Sequence, residues 1–296
     1  MYKWMRFSVV VAMIMVLTMG GLGSAHVLNI AIPQDPDSFD PVKTVAAATG
    51  EVAFNIYEGL VKATPEGEVE GALATHWTVN DLGTVYTFYL REAFFHDGTP
   101  LTPADVVFAL NRARDPEIAV RAGELSMIKD VKPIAGGVQI ELHEPNGAFI
   151  YTLTEVYASI YPAHAVDLAR NPLGTGPYQL QQWLPNQQLE LRRFDQHWSG
   201  EMPYFEQANF MIIPDENSMV LNLKAGRVNL IPRLEVGVLH QVENDPNLAV
   251  VSAPMNLVQV FSINNARSPF DDPRVRKALA LGVNREEILY GAAWGH

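Results

Sequence analysis

The sequence predicts an α/β fold of two lobes. Apolar stretches of strand length are interspersed with helical stretches along the chain, which favours α/β over a sandwich or a helical bundle. No internal repeat or low-complexity linker interrupts that order. About 271 residues follow the first 25, so two lobes are expected rather than one growing core.

The elements follow in order. Leu28, Ile30 and Ile32 alternate through Asn29 and Ala31, the period of a strand, and Pro33 ends it. Residues 34–43 carry aspartates and prolines that make an ordered loop. Residues 46–60 read as a helix with Val52, Ile56 and Leu60 on one face, and Gly67 sits in a turn. Residues 85–90 form a strand, Asp97-Gly98 a turn, and Thr102, Pro103 and Asp105 open a helix that places Val106, Leu110 and Ala113 on one face. Strands follow at 138–142, 178–183 and 188–194, the last two joined through Pro185-Asn186. Another strand is expected at 208–213. Asp215 caps a helix carrying Met219, Val220 and Leu223, and Gly226 stops it. Phe261 reads as a strand core residue. Asp272-Pro273 opens one more helix, and Asn284 with Glu287 forms a capping box for the next.

Residues 1–25 read as an export leader. Lys3 and Arg6 give a basic start, Phe7 to Leu17 an apolar core, and Gly23-Ser24-Ala25 a small-residue cleavage site before His26. The chain contains no cysteine, which excludes disulfides, thiolate metal sites and a lipid anchor on cysteine. Beyond the leader, 19 Lys plus Arg face 33 Asp plus Glu, a formal charge of −14. That balance, with no basic and aromatic stripe, argues against nucleic acid as a partner.

Several residues invite a chemical reading. His96, Asp97 and Asp105 are an acid–base set only if they face one cleft, whereas a turn and a helix start explain them without catalysis. No nucleophile and base constellation is visible. Gly174-Thr175-Gly176-Pro177 reads as a shaped crossover, since no Gly-Lys-Ser or Gly-Lys-Thr follows to hold a phosphate. His26, His76, His96, His143, His164 and His197 are scattered without a metal-ligand spacing. No metal or other cofactor is expected.

Read together, these stations resemble a known family. They are Leu28 to Pro41, Asn55-Ile56-Tyr57-Glu58-Gly59-Leu60-Val61, Gly71-Ala72-Leu73-Ala74 with Trp77, and Tyr86-Thr87-Phe88-Tyr89-Leu90-Arg91. They continue through Phe95-His96-Asp97-Gly98-Thr99-Pro100, Ala104-Asp105-Val106-Val107-Phe108, Gly174-Thr175-Gly176-Pro177-Tyr178, and the run from Ser268 to Leu279. In this order the chain resembles the extracytoplasmic solute-binding proteins of ABC importers, peptide and nickel binding family 5. Two stretches depart from the family pattern. Its Asn-Pro-x-Tyr-Trp before a glycine reads Phe194-Asp195-Gln196-His197-Trp198 with Ser199 before Gly200, and its Gly-x-Val-Asp reads Gly226-Arg227-Val228-Asn229. Both are taken as surface or turn adjustments.

The resemblance implies a periplasmic binding protein-like α/β fold, two-lobed, class II-like and of cluster C, truncated in the C-terminal lobe. It divides the chain into a signal peptide (1–25), a discontinuous first domain (26–57 and 172–263), an inserted second domain (58–171) and the start of a third (264–296). It implies a noncatalytic, monomeric periplasmic receptor that captures an oligopeptide or dipeptide and delivers it to an inner-membrane ABC permease. A noncompetent fragment, a receptor for a nickel complex or another solute, and a secreted hydrolase stay open as alternatives. By the same resemblance the ligand wall includes Thr44, Val45, Ala47, Thr49 and Gly50, whose small side chains leave room for a ligand. Glu58 either faces the cleft, where it attracts an ammonium group, or accepts backbone or arginine hydrogen bonds at the crossover.

Overall fold

In chain order the elements are β1 (Val27–Ile32), α1 (Ala47–Ala53), β2 (Val61–Ala63), β3 (Val69–Gly71), β4 (Ala74–Val79), β5 (Val85–Leu90), α2 (Pro103–Ala113), β6 (Ile128–Ile134), β7 (Gly137–Leu142), α3 (Phe149–Thr152), β8 (Tyr178–Leu184), β9 (Gln188–Arg193), β10 (Gln207–Ile212), α4 (Glu216–Lys224), α5 (Val236–Leu239), α6 (Pro273–Gly282) and α7 (Arg285–Ala293). They come from a computed structural model that describes residues 26–252 and 260–293. The expected leader lies outside the described residues. The strands form sheets in the orders β1-β10-β9-β8, β2-β3 and β4-β5-β7-β6. By compactness the described chain divides into one unit holding 26–28 with 36–209 and a second holding 29–35 with the described residues from 210 onward.

Within the first unit, β5 and β7 occupy the middle of an antiparallel sheet with Tyr86 opposite Ile140 and Phe88 opposite Val138. All four side chains are buried, as period-two alternation requires of strands with one covered face. The cover is α2, which lies against β6 and β7 and buries Val106, Ala109, Leu110 and Ala113. Burying Val106 and Leu110 stabilises by roughly 1.5–3 kcal/mol each. Asp105 holds the start of this helix, its Oδ2 accepting the Thr102 N–H at 2.9 Å and the Thr102 hydroxyl at 2.6 Å.

Asp40 ties the loop before α1 to this layer. Its carboxylate takes two hydrogen bonds from Arg112 at 2.7 and 2.6 Å, and Arg112 also donates to the Tyr161 hydroxyl at 3.0 Å. The pair is largely shielded, with side-chain exposures of 20 % for Arg112 and 10 % for Asp40, so the fork geometry holds the loop in one place.

The helix expected over 46–60 ends at Ala53. A continued helix would spend the Asn55 and Ile56 carbonyls on Gly59 and Leu60. Instead they accept the N–H groups of Tyr178, at 3.0 Å, and Gly176, at 2.9 Å. Asn55 Nδ2 meanwhile caps the helix end, donating to the Glu51 carbonyl at 3.0 Å. Val52, Ile56 and Leu60 are all buried as expected, but by two different local structures.

Gly174 and Gly176 are needed for that approach. A Cβ on Gly176 would lie 2.6 Å from the Asn55 oxygen and 2.7 Å from the Ile56 carbonyl carbon, and one on Gly174 would collide with the Ile56 oxygen. Neither glycine has positive φ, so closeness of backbones, not left-handed geometry, is the constraint.

The second unit centres on Ala31, Met219 and Val228, with Met211, Ile213, Leu223 and Ile231 packed around them. Asp215 opens α4, its Oδ1 accepting the Ser218 N–H at 2.7 Å, and Gly226 closes it at φ +69°. The Leu230 carbonyl accepts the Ala31 N–H at 2.9 Å. Phe261 is 83 % exposed, correcting the expected core role: no strand forms at 260–264 to seat it.

Gly176→Ala is expected to destabilise the chain by about 2–3 kcal/mol, since the added methyl meets backbone rather than a movable side chain. Chemical denaturation at constant pH measures it, with Gly50→Ala as the comparison: nothing lies within 4 Å there and the site is inside α1, so this methyl should not destabilise and should add up to about 1 kcal/mol.

Candidate functional site

The residues expected to line a ligand wall separate into two groups. Thr44, Val45, Ala47, Thr49 and Gly50 sit on the approach to α1, and Glu58 belongs to a hydrogen-bonded cluster.

On the approach, Thr44 and Thr49 are buried. Both hydroxyls donate to the same oxygen, Asp37 Oδ1, at 2.6 Å from Thr44 and 2.8 Å from Thr49. Burial tends to raise the Asp37 pKa, but the two hydroxyls and the amides of Asp37 and Ser38 outweigh it and hold the value below the usual carboxylate range. Val45 is 63 % exposed and Ala47 is also exposed. Gly50 is partly exposed, with open space where a side chain would stand. The outward surface of the segment is therefore small and uncharged.

Glu58 is almost enclosed, and three side chains are directed at its carboxylate. Thr175 Oγ1 donates to Oε2 at 2.9 Å, Trp198 Nε1 donates to Oε2 at 2.8 Å, and His197 Nε2 lies 3.3 Å from Oε1. The Arg91 guanidinium covers the other side of this cluster, 3.6 Å from the centre of the Trp198 ring. Burial lowers the Arg91 pKa, opposed by the charge of Glu58. Glu58, His197, Trp198, Phe54, Tyr57 and Thr154 line a cavity of about 620 Å3.

Glu58 thus accepts hydrogen bonds at the crossover, but from threonine, tryptophan and histidine side chains. Those partners were missed because they lie 117 to 140 residues away. The departure at 194–198 is a turn, but it is not confined to the surface: His197 is 8 % exposed and faces Glu58. A histidine inside a motif with a tryptophan beside it was the available signal.

His96, Asp97 and Asp105 do not converge. His96 Nε2 donates to the Gly176 carbonyl at 3.0 Å. Asp97 receives the Thr99 N–H and hydroxyl on Oδ1 and His164 on Oδ2, and Asp105 is occupied at the helix start. An acid and base must share a reacting proton, and these groups are each committed elsewhere. Among the described residues no group of three or more His, Cys, Asp or Glu is placed to hold a metal ion, and no helix is long and apolar enough to cross a membrane.

Burial lowers the His96 pKa to about 4, although the Gly176 carbonyl and the charges of Glu58 and Asp97 favour its protonated form; His197 adds to the lowering. The ring is therefore neutral in the fold at neutral pH.

Comparison with known proteins follows this geometry. The sequence profile of the bacterial extracellular solute-binding proteins, family 5, matches residues 68–295. Glutathione-binding protein GsiB of Escherichia coli O1:K1 / APEC is 29 % identical over 286 residues, covering 92 % of this chain and 55 % of that protein. The binding protein AgaA from A. tumefacien R10, solved with agropinic acid, superposes with a TM-score of 0.79 at 26 % identity, covering 91 % of this chain and 56 % of that one. The oligopeptide-binding protein AppA from Bacillus subtilis, solved with a nonapeptide, gives a TM-score of 0.77 at 25 % identity over 91 % of this chain and 56 % of that one. The chain spans about half the length of the relatives it matches, and it has the α/β fold of periplasmic binding proteins.

Two outcomes follow for the cluster. Glu58→Ala is expected to cost roughly 3–5 kcal/mol by leaving the Trp198 and Thr175 donors unpaired, and Glu58→Gln clearly less, because its oxygen can accept both; denaturant titration separates them. For His96, a folded pKa below the unfolded value means that protonation favours unfolding. Its contribution is full above about pH 6.5 and is lost as pH falls toward 4. Between about pH 7 and about pH 4.5 the wild type should lose roughly 2–3 kcal/mol more than His96→Gln, a difference measured by denaturation at the two pH values.

Proposed function

The chain belongs to the bacterial extracellular solute-binding proteins of family 5, and on that premise we propose that it captures an oligopeptide or dipeptide outside the inner membrane and delivers it to an ABC permease. The role is noncatalytic, the location periplasmic after leader removal, and the receptor a monomer. The observation that carries the reading is the segment 44–50, fastened from beneath by Asp37 and turned outward through Val45, Ala47 and Gly50. A wall without charged side chains recognises its ligand by shape and main-chain contacts, which suits solutes that share a backbone and differ in side chains. In this reading Thr44 and Thr49 shape the wall from within, and Glu58 organises the crossover instead of meeting an ammonium group.

The names of similar proteins support the class. GsiB is a glutathione-binding protein and AppA an oligopeptide-binding protein. The proposed domain partition is 26–57 with 172–263, 58–171, and 264–296; bonds from 176–178 to Asn55 and Ile56 join the two segments of the first domain beside the points where the chain would leave and re-enter it, and compactness alone keeps 36–209 together.

Calorimetric titration of the full chain with glutathione, di- and tripeptides and a nickel–histidine complex tests this function. Saturable heat is expected with at least one peptide, and chromatography should recover that peptide intact. Heat with the nickel complex alone, or cleavage of the peptide, would overturn the peptide-receptor reading, as would no heat with any ligand.

A further inference from the structure

The approach to α1 contains a weakness that its neighbours correct. The helix is only seven residues long, and Ala46 at its start provides no side-chain hydrogen bond, although this position ordinarily takes Ser, Thr, Asp or Asn. A short helix entered through alanine has little intrinsic reason to hold one geometry. Thr44 holds the helix start from outside: its Oγ1 accepts the N–H of the N-cap residue Ala46 at 3.1 Å while donating to Asp37 Oδ1 at 2.6 Å. Thr49, inside the helix, donates to that same oxygen at 2.8 Å. One carboxylate oxygen thus holds both ends of the stretch 44–49, between which Val45 and Ala47 are exposed while Ala48 is buried.

We infer that Asp37 is the positioning residue of the ligand wall, setting the outward presentation of Val45, Ala47 and Gly50 through the Thr44 and Thr49 hydroxyls. This rests on the receptor reading for what the wall does, but not for how the wall is held. The hydrogen-bond partners of this carboxylate are neutral hydroxyls and amides, unlike those of Asp40, which braces Arg112. Depth distinguishes the two halves of the arrangement. Thr49 is wholly buried and Thr44 nearly so, whereas Val45, one residue from Thr44, is 63 % exposed. The threonines therefore act as fasteners, and specificity is carried by the length and shape of the surface they hold out. A ligand meeting this wall reads a spacing set by Asp37, so loss of the carboxylate should loosen recognition without removing any side chain that faces the ligand.

The test uses the full chain as wild type, Asp37→Ala and Asp37→Asn, with glutathione and trialanine as probes. Amide hydrogen exchange at 44–50 is measured beside that of β5 and β7. In Asp37→Ala, exchange at 44–50 should accelerate about tenfold or more while the β5 and β7 amides keep their protection. Affinity for whichever probe binds the wild type should fall about tenfold, and Asp37→Asn, whose amide oxygen can still accept both hydroxyls, should stay within about threefold. Unchanged exchange at 44–50 in Asp37→Ala would overturn the inference. So would unchanged affinity, or an affinity loss accompanied by equal loss of protection in β5 and β7, which marks general unfolding. If the wild type binds neither probe, the receptor reading fails for these ligands, while the exchange data still decide whether Asp37 holds the segment.

Discussion

A buried carboxylate must have donors, and much of the first unit is arranged around that requirement at Glu58. Its partners Thr175, His197 and Trp198 come from parts of the chain more than a hundred residues away. Each bond draws a distant segment onto the stretch that follows α1. An isolated carboxylate there would cost several kcal/mol. The crossover at 174–178 and the turn at 194–200 are therefore parts of one construction. Arg91 adds its guanidinium to the cluster by stacking on the Trp198 ring.

That construction also shapes the approach to α1. Because the Asn55 and Ile56 carbonyls are taken by Tyr178 and Gly176, the helix cannot continue, and its short length makes the approach dependent on side chains. Asp40 fastens the loop to α2 through Arg112, and Asp37 fastens the segment 44–49 to the loop. Two aspartates three residues apart thus perform different tasks, one through a charged fork and one through hydroxyls. The outward face at Val45, Ala47 and Gly50 is what remains after these internal requirements are met.

The parts of this arrangement visible in the sequence are those governed by local chemistry. Residues 85–90 form β5 with the expected ends, Asn186 lies in the turn between β8 and β9 at φ +58°, Asp215 and Asp272 cap their helices with their carboxylates, and Gly226 closes α4 at positive φ. Strands β4 and β6 went unrecognised because His76 and Thr78, and Lys129, Asp130 and Lys132, break any apolar pattern along strands that lie at sheet edges. The end of α1 was hidden for a different reason. Val52, Ile56 and Leu60 keep helical spacing and are all buried, and only the distant glycines reveal that the backbone has turned away. In the candidate site, the small residues at 44–50 were readable as a segment, but Asp37 as their common acceptor was not, since two hydroxyls meeting one oxygen is a property of folded space. His197 was seen as a departure from a pattern, yet its burial beside Glu58 depends on the same long-range closure.

We propose that solute is held at the Val45–Gly50 face and not in the cavity beside Glu58. Photo-crosslinking with a diazirine-bearing form of a peptide that binds, followed by mass spectrometric mapping, tests it most directly. The account predicts adducts on Val45, Ala47 or their immediate neighbours that unlabelled peptide competes away. Competable adducts confined to Phe54, Thr154 or Trp198, with none at 44–50, would contradict it.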